Sequence, residues 1–356
     1  MSAMAGDEMR RLLADTCTRL FTDRVTPALI EASEKGQWPD ALWQAVEEGG
    51  LTLPQIPEQH GGAGGSWDDA HVVLSAAGRF AVPLPIAETM VGAWLLASAG
   101  LDVPMGPITV APTQQSDRLS LRREGAGVHL SGTAARVPWG RNARHVVVLA
   151  EDGGKPMVAL VVGGAARVEL DTNLALEPRD TLTWSGAPVA AAGASDSLSP
   201  DSLWLAGAMA RAAQMAGGLE FLLAQSVKYV SERKQFGRPL SAFQAIQQNL
   251  ALLAGHTAAA GMAAQAAFHA MEKGDAAFEI ACAKVRVGEA AGLGAGIAHQ
   301  AHGAIGFTYE HTLHFVTRRL WSWRAEFGAE PHWAAEIGRE AGARGADSLW
   351  SYVTSR

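Results

Sequence analysis

Ser231-Glu232-Arg233-Lys234-Gln235-Phe236-Gly237-Arg238-Pro239-Leu240 and, two residues on, Phe243-Gln244-Ala245-Ile246-Gln247 interrupt two long runs of helical periodicity. Three cations (Arg233, Lys234, Arg238) surround an aromatic and a glycine at the point where a helix stops. Two readings stand side by side. Arginines there can fork a pyrophosphate bidentately while Phe236 packs on a ring. Equally, the cations complement a helix C-terminal dipole and Gly237 caps it.

Working outward, the preceding segment carries Leu205, Met209, Ala212, Ala216, Leu219, Leu223, Val227 and Val230, a 3–4 spacing that predicts a helix of about seven turns. A second helix is expected from Phe243 to Glu272 with Gly274 as its stop, and a third from Asp275 to Ala301. Long helices with short connections make a bundle. Further back, residues 105–197 change period: His145–Ala150 and Met157–Val162 flank Glu151-Asp152-Gly153-Gly154-Lys155, a hairpin signal. Leu119–Arg122 and Val128–Ser131 flank Gly125-Ala126-Gly127 in the same way. This zone is expected to be a small antiparallel β-barrel or sandwich. Residues 1–104 are again helical: Glu8–Val25 with its apolar face at Leu12, Leu13, Cys17, Leu20 and Phe21; a short helix opened by Pro39; and helices near Trp67–Arg79 and Ala87–Ala99. The fold class is therefore α+β, with domains at 1–104, 105–197 and 198–356.

The 356 residues are 48 % hydrophobic and 18 % charged, a globular composition. A net charge of -7 argues against broad nucleic-acid binding. Cys17 and Cys282 have no zinc-like spacing and do not suggest a disulfide scaffold. The opening Met1–Glu8 lacks a signal-peptide pattern, and no apolar run approaches the ~20 residues of a membrane helix. A soluble, cytoplasmic protein without membrane or nucleic-acid partners is expected. His302, Glu310, His311 and His314 resemble a metal cluster in composition, but helical spacing places only His311 and His314 together, so no metal is expected. The 11 tryptophans read as core or interface anchors.

Arg-Lys-Gln-Phe-Gly-Arg-Pro followed by Phe-Gln-Ala-Ile-Gln resembles a signature of the acyl-CoA dehydrogenase family. A second signature, Gln-x-x-Gly-Gly-x-Gly-Phe/Tyr, matches Gln300-Ala301-His302-Gly303-Ala304-Ile305-Gly306-Phe307, and Leu53–Gly65 is similar to the family's Gly-rich turn. The order and spacing of these matches cover the whole chain. The resemblance implies an N-terminal helical domain, a middle β domain and a C-terminal four-helix bundle. It also implies FAD held between subunits of a homodimer or homotetramer. Arg233 matches the arginine that meets the FAD pyrophosphate across the dimer interface, and Gln244 matches a glutamine on the same cofactor. Gln300, Ala301, His302, Gly303 and Ala304 match the stretch whose backbone approaches the adenosine diphosphate. Glycine lets a phosphate come close to backbone; Ala304 stands where the second glycine is usual.

The implied reaction is α,β-dehydrogenation of an acyl-CoA thioester: a carboxylate removes the α-proton while the β-hydride passes to FAD, with electron-transfer flavoprotein as acceptor. The base should be a desolvated glutamate. Counting from Gly306-Phe307, that glutamate falls on Phe327; a one-residue shift makes Glu326 the candidate base, with a solvated helix residue as the equal alternative. An earlier-helix base would fall on Gly207, which closes that route, and Arg211 one turn on is a candidate for CoA or a carboxylate, or a surface residue. The sheet loops depart as well. Thr109–Gln114 stands for the family's flavin loop; Arg136 stands where a tryptophan is usual, Pro138 where a hydroxyl is usual, and Trp139 could cover the ring only after a shift.

Three functions follow as expectations. The first is an FAD-dependent acyl-CoA dehydrogenase acting on a bulky or unusual acyl group. The second is a non-catalytic subunit of an α2β2 heterotetramer of the kind the family uses in steroid side-chain degradation, supplying half of the FAD site. The third is a different acyl-CoA reaction, such as elimination.

Overall fold

The computed structural model describes residues 3–125, 127–152 and 155–356. The expected turn residues Ala126, Gly153 and Gly154 lie outside them. The chain divides into two compact units, Met1–Val73 with Val82–Ala210, and Leu74–Ala81 with Arg211–Arg356.

The first unit opens with α1 (Ala3–Arg24), α2 (Pro27–Glu34), α3 (Asp40–Glu48), most of α4 (Trp67–Arg79) and α5 (Ile86–Ser98). Pro27 is pre-set for the first turn of α2, and Thr26 Oγ1 accepts from Leu29 N at 3.2 Å. Between α3 and α4 the Gly-rich segment folds back on itself. A Cβ at Gly62 would sit 2.1 Å from Ile56 O, so no other residue fits there.

The strands are β1 (Ile108–Ala111), β2 (Arg118–Glu124), β3 (Gly127–Pro138), β4 (His145–Asp152), β5 (Lys155–Val162), β6 (Arg167–Glu169), β7 (Arg179–Pro188) and β8 (Ala191–Ala194). They form two four-stranded sheets, β1-β4-β5-β8 and β2-β3-β7-β6. Both sheets feed one core: Val146, Val148 and Met157 from the first, Leu130, Leu182 and Trp184 from the second. That is a sandwich built by period-two alternation. The sheets are antiparallel as expected except at one edge, where β1 pairs with β4 in parallel, Ile108 opposite His145. A parallel pair needs a long crossover; β2 and β3, in the other sheet, supply it, and no local sequence signal records that.

α5 rests on the first sheet. A Cβ at Gly92 would lie 2.6 Å from Ile108 Cγ2, and Thr89 Oγ1 bonds both the N–H and the C=O of Ile108. Ten of the helix's 13 residues are buried, Glu88 and Thr89 among them, which is why its pattern shows little amphipathicity.

α6 (Ser202–Glu232) leads into the second unit, followed by a dipeptide ribbon, β9 (Lys234–Gln235) with β10 (Arg238–Pro239), then α7 (Gln244–Lys273), α8 (Ala277–His302), α9 (Leu313–Ala325), α10 (Glu330–Arg344) and α11 (Ala346–Thr354). α8 is central, packing against α7, α9 and α10. Gly78 and Gly217 allow α4's last turns to touch α6 backbone to backbone: added Cβ atoms would fall 1.8 Å from Gln214 O and 1.9 Å from Ser75 O. One stripe residue departs from expectation, since Val227 is exposed. Cys17 and Cys282 are free thiols, and no helix of the described residues is long and apolar enough to cross a membrane. Trp43, Trp67, Trp139, Trp184, Trp323 and Trp333 are buried, whereas Trp350 is exposed.

Candidate functional site

The candidate residues at the end of α6 form an exposed cationic edge. Arg233, Lys234 and Arg238 are all exposed. Gly237 does not cap the helix, as its position in the sequence suggests. It turns the ribbon: Phe236 and Gly237 both have positive φ (54° and 77°), which a two-residue type I′ turn requires. A phenylalanine strained into that conformation and 89 % exposed is an outlier that points to use by something outside the chain. Arg238 lies over the Phe243 ring at 4.1 Å, which fixes the turn, and Gln244 begins α7 on the exposed side.

The second candidate stretch ends α8. Gln300, Gly303 and Ala304 are exposed, while Ala301 and His302 face inward. Gly303 adopts φ 68° and ψ −148°, backbone essentially reserved for glycine, and its N–H closes the helix by donating to His299 O. The structure joins the two stretches. Tyr229, one turn before Arg233, stacks on His302 with ring centroids 4.5 Å apart and 26° between planes. An anion meeting this edge would find free guanidinium charge, an exposed ring and open backbone. The edge therefore fits the pyrophosphate half of FAD.

The sheet-side candidates do not fit the flavin half. Thr109 and Thr113 are buried, and their hydroxyls are spent within the chain, on Pro138 O and on Ala135 O at 3.1 Å respectively. Pro138 offers no donor. Trp139 is 4 % exposed, packed edge-on against Trp38 at 6.2 Å, and covers nothing outside the chain. Arg136, where a ring-covering tryptophan is expected, sits at φ 55° beside Asp171 at 3.7 Å.

The base candidate lies at the end of α9. Glu326 Oε2 accepts from Arg211 Nε at 2.7 Å, and Arg211 Nη1 also donates to Gln214 at 2.6 Å. The guanidinium lies 5.8 Å from the Trp323 ring centre and 5.9 Å from that of Phe327. Phe327 is buried at φ 53° and Gly328 follows at φ 92°, a tight reversal whose carbonyls are held by Trp333 Nε1 at 3.0 and 3.2 Å. Lys284 on α8 reaches underneath, donating to the carbonyls of Trp323, Arg324 and Glu326 at 3.3, 3.2 and 2.8 Å. Its three donors meet carbonyls at the end of α9, of which Trp323 O also accepts the Glu326 N–H at 3.3 Å. Burial pushes the Lys284 ammonium down to about 7, against the pull of Glu326. Glu326 thus has its charge answered inside the chain, unlike the lone desolvated carboxylate that makes a strong base.

Sequence reasoning offered Arg211 the CoA, a carboxylate or a surface place; the structure gives it a carboxylate, that of Glu326, which lies 115 residues away and so could not be named from local pattern. Sequence reasoning missed Lys284, which carries no motif. The histidine expectation needs correction too: His302 meets His311 at 4.7 Å, a contact that helical spacing alone hid. No metal-binding group occurs among the described residues. A cleft of about 570 Å³ between α7, α8 and α11 is lined by none of the candidate residues.

Two family models match the chain. The acyl-CoA dehydrogenase N-terminal domain matches residues 7–102 and the acyl-CoA dehydrogenase C-terminal domain residues 205–332, together more than half of it. The acyl-CoA dehydrogenase IpdE2 of Mycolicibacterium smegmatis is 29 % identical over 318 residues, covering 88 % of this chain and 92 % of that protein. Among solved structures, a variant of the Tcur3481–Tcur3483 steroid ACAD superposes with TM-score 0.85 at 25 % identity, covering 99 % of this chain and 100 % of that one. The ChsE4–ChsE5 complex of Mycobacterium tuberculosis gives TM-score 0.85 at 23 % identity over 95 % of this chain and 98 % of its own, a likeness of fold.

Proposed function

The chain belongs to the acyl-CoA dehydrogenase family, and from that premise we propose that it is the non-catalytic subunit of a two-component, FAD-dependent enzyme that dehydrogenates an acyl-CoA thioester. It supplies the pyrophosphate half of the FAD site to a second, related chain, which supplies the flavin loops and the base.

One observation carries this reading. The outward-facing half of the site is uncommitted, whereas the sheet-side half has its hydroxyls and its tryptophan consumed by the chain's own packing. The base position supports the same reading: Phe327 occupies it and the neighbouring Glu326 is paired to Arg211.

FAD, when bound, accepts the β-hydride of the substrate. The residues of this chain act on the other end of that cofactor. Arg233 offers a planar fork to the pyrophosphate, with Lys234 and Arg238 adding positive field around it. Phe236 supplies an apolar face from a pre-strained turn, and Gln244 an amide. At Gln300–Ala304 the exposed Gln300 side chain offers an amide, and the side-chain-poor Gly303–Ala304 backbone leaves room for a phosphate to approach. Electron-transfer flavoprotein is the proposed acceptor. A large acyl group of steroid type is the proposed substrate class, on the likeness to the steroid ACAD.

The test is co-expression. The chain produced with a family member bearing an intact base should give a yellow, active complex, and Arg233→Ala should release its flavin. A chain that alone binds FAD and turns over acyl-CoA overturns the reading, in which case Glu326 is the base to examine.

A further inference from the structure

Tyr229, His302 and His311 form one cluster that ties together three elements of the second unit. Tyr229 stands on α6, His302 at the end of α8, and His311 in the connection to α9. The rings of Tyr229 and His302 stack at 4.5 Å. His302 meets His311 at 4.7 Å, and His311 meets Tyr229 edge-on at 6.2 Å. Hydrogen bonds fix the rings: His302 Nδ1 donates to Ala298 O at 2.8 Å, and His311 Nδ1 accepts from Leu313 N at 3.1 Å. His302 is 4 % exposed, and its Nε2 is buried with no hydrogen-bond partner. The far side of the same turn is held by a second stack, in which His299 lies 3.9 Å from Phe307 and 5.5 Å from Trp321.

We propose that the Tyr229–His302–His311 junction positions the two cofactor-facing segments, 233–244 and 300–304, as a single edge, and that it does so only while both imidazoles are neutral. Tyr229 is the lever. Its carbonyl accepts the N–H of Arg233 at 2.8 Å, so the ring that stacks on His302 belongs to the turn that aims Arg233. These are positioning residues, acting on the cofactor through Arg233 and the 300–304 backbone. The inference rests on the reading of that edge as the pyrophosphate half of the FAD site.

The charged and titratable neighbours favour neutrality. Lys228 comes from α6, His299 from α8, and His314 and Arg318 from α9; Tyr309 lies between, under Arg318 and against His314. Burial, and then the neighbouring imidazoles of His302 and His314, hold His299 and His311 below the usual imidazole range, and Lys228 adds to this at His311. Burial does the same to His302, against the pull of its bond to Ala298. The sign follows. A group whose proton is bound more tightly when the junction is open favours opening as pH falls below about 6.5. A second positive ring 4.7 Å from the first adds repulsion.

Hydrogen–deuterium exchange on the chain by itself tests this without cofactor or partner. With intrinsic rates corrected, amides of 233–240 and 300–312 should lose protection together, by about tenfold, between about pH 7.5 and about pH 5. His302→Phe keeps a flat ring that carries no proton, and protection in both segments should then stay within about twofold across that range. Tyr229→Leu should loosen both segments at every pH. Protection that is independent of pH in the unaltered chain, or segments that open separately, would overturn the proposal. If His302→Phe does not fold, His311→Phe serves as the same test with the same expected outcome. A junction that behaves as expected while Arg233→Ala leaves the complex's flavin in place would locate the failure in the functional reading and not in the junction.

Discussion

Arg211 Nε lies 2.7 Å from Oε2 of Glu326, with the two side chains 3 % and 12 % exposed. The partners come from α6 and from the residue that caps α9, so a pair this enclosed locks the 326–328 reversal to the long helix. Removing one partner strips a buried charge of its nearest counter-charge, at a cost of about 3–5 kcal/mol. Arg211→Met or Glu326→Gln should each lower stability by that amount in urea unfolding, with the double variant well short of additive. A Glu326→Gln chain that unfolds at the unaltered midpoint would show the pair to be incidental.

Lys284 makes a separate prediction. Its Nζ donates to the carbonyls of Trp323, Arg324 and Glu326 where α9 ends. Lys284→Met keeps the packing volume but strips the donors, and should cost about 3 kcal/mol by equilibrium unfolding. The loss should be read as detachment of the 326–328 reversal, seen as faster exchange at Phe327 and Gly328.

Gly78 and Gly217 let α4 and α6 approach backbone to backbone. Either glycine changed to alanine puts a methyl inside a carbonyl contact and forces the helices apart, with an expected loss of about 3 kcal/mol or more and a lower thermal midpoint. Gly36, which has open space around it, can be used as a control for space; its positive φ of 87° adds only local backbone strain.

His71 contributes to the pH dependence of the first unit. Burial pushes its imidazole down to about 4, despite the opposing charge of Asp68. The folded chain therefore binds this proton less readily than the unfolded chain, whose imidazole titrates near about 6.5. Stability should be full above about pH 6.5 and fall steadily as pH drops toward about 4, with about one proton taken up on unfolding. His71→Gln should flatten that slope.

Much of this was legible in the residues themselves. The helix at Trp67–Arg79 lies where its periodicity puts it, and Gly274 ends α7 at φ 87°. Both are local signals: an apolar stripe and a residue free to turn left-handed. The parallel pairing of β1 with β4 was hidden because partner choice depends on crossovers that leave no local trace. The site divides along the same line. The cationic ribbon is a contiguous motif and announces itself, although its glycine serves a hairpin and not a helix cap. The Arg211–Glu326 pair and the His302–His311 contact join residues distant in sequence, and only packing reveals that the charge of Glu326 is already answered.

Arg233→Ala in the assembled two-chain enzyme should weaken flavin retention by about tenfold to a hundredfold, the range of one charge-assisted fork, while leaving assembly intact. Flavin fluorescence released on dilution measures it directly. Arg141→Ala, on the sheet side, removes a guanidinium paired to Asp180 and should reduce stability without selective flavin loss.

The flavin-to-chain ratio, read from visible absorbance of the protein purified alone and again after co-expression with a base-bearing family member, bears most directly on the division of labour. The expected result is a ratio near zero for the single chain, unchanged by added FAD, and a flavin-loaded complex once the partner is present. A single chain that purifies yellow, with a ratio near one, would contradict it and make this chain a dehydrogenase in its own right.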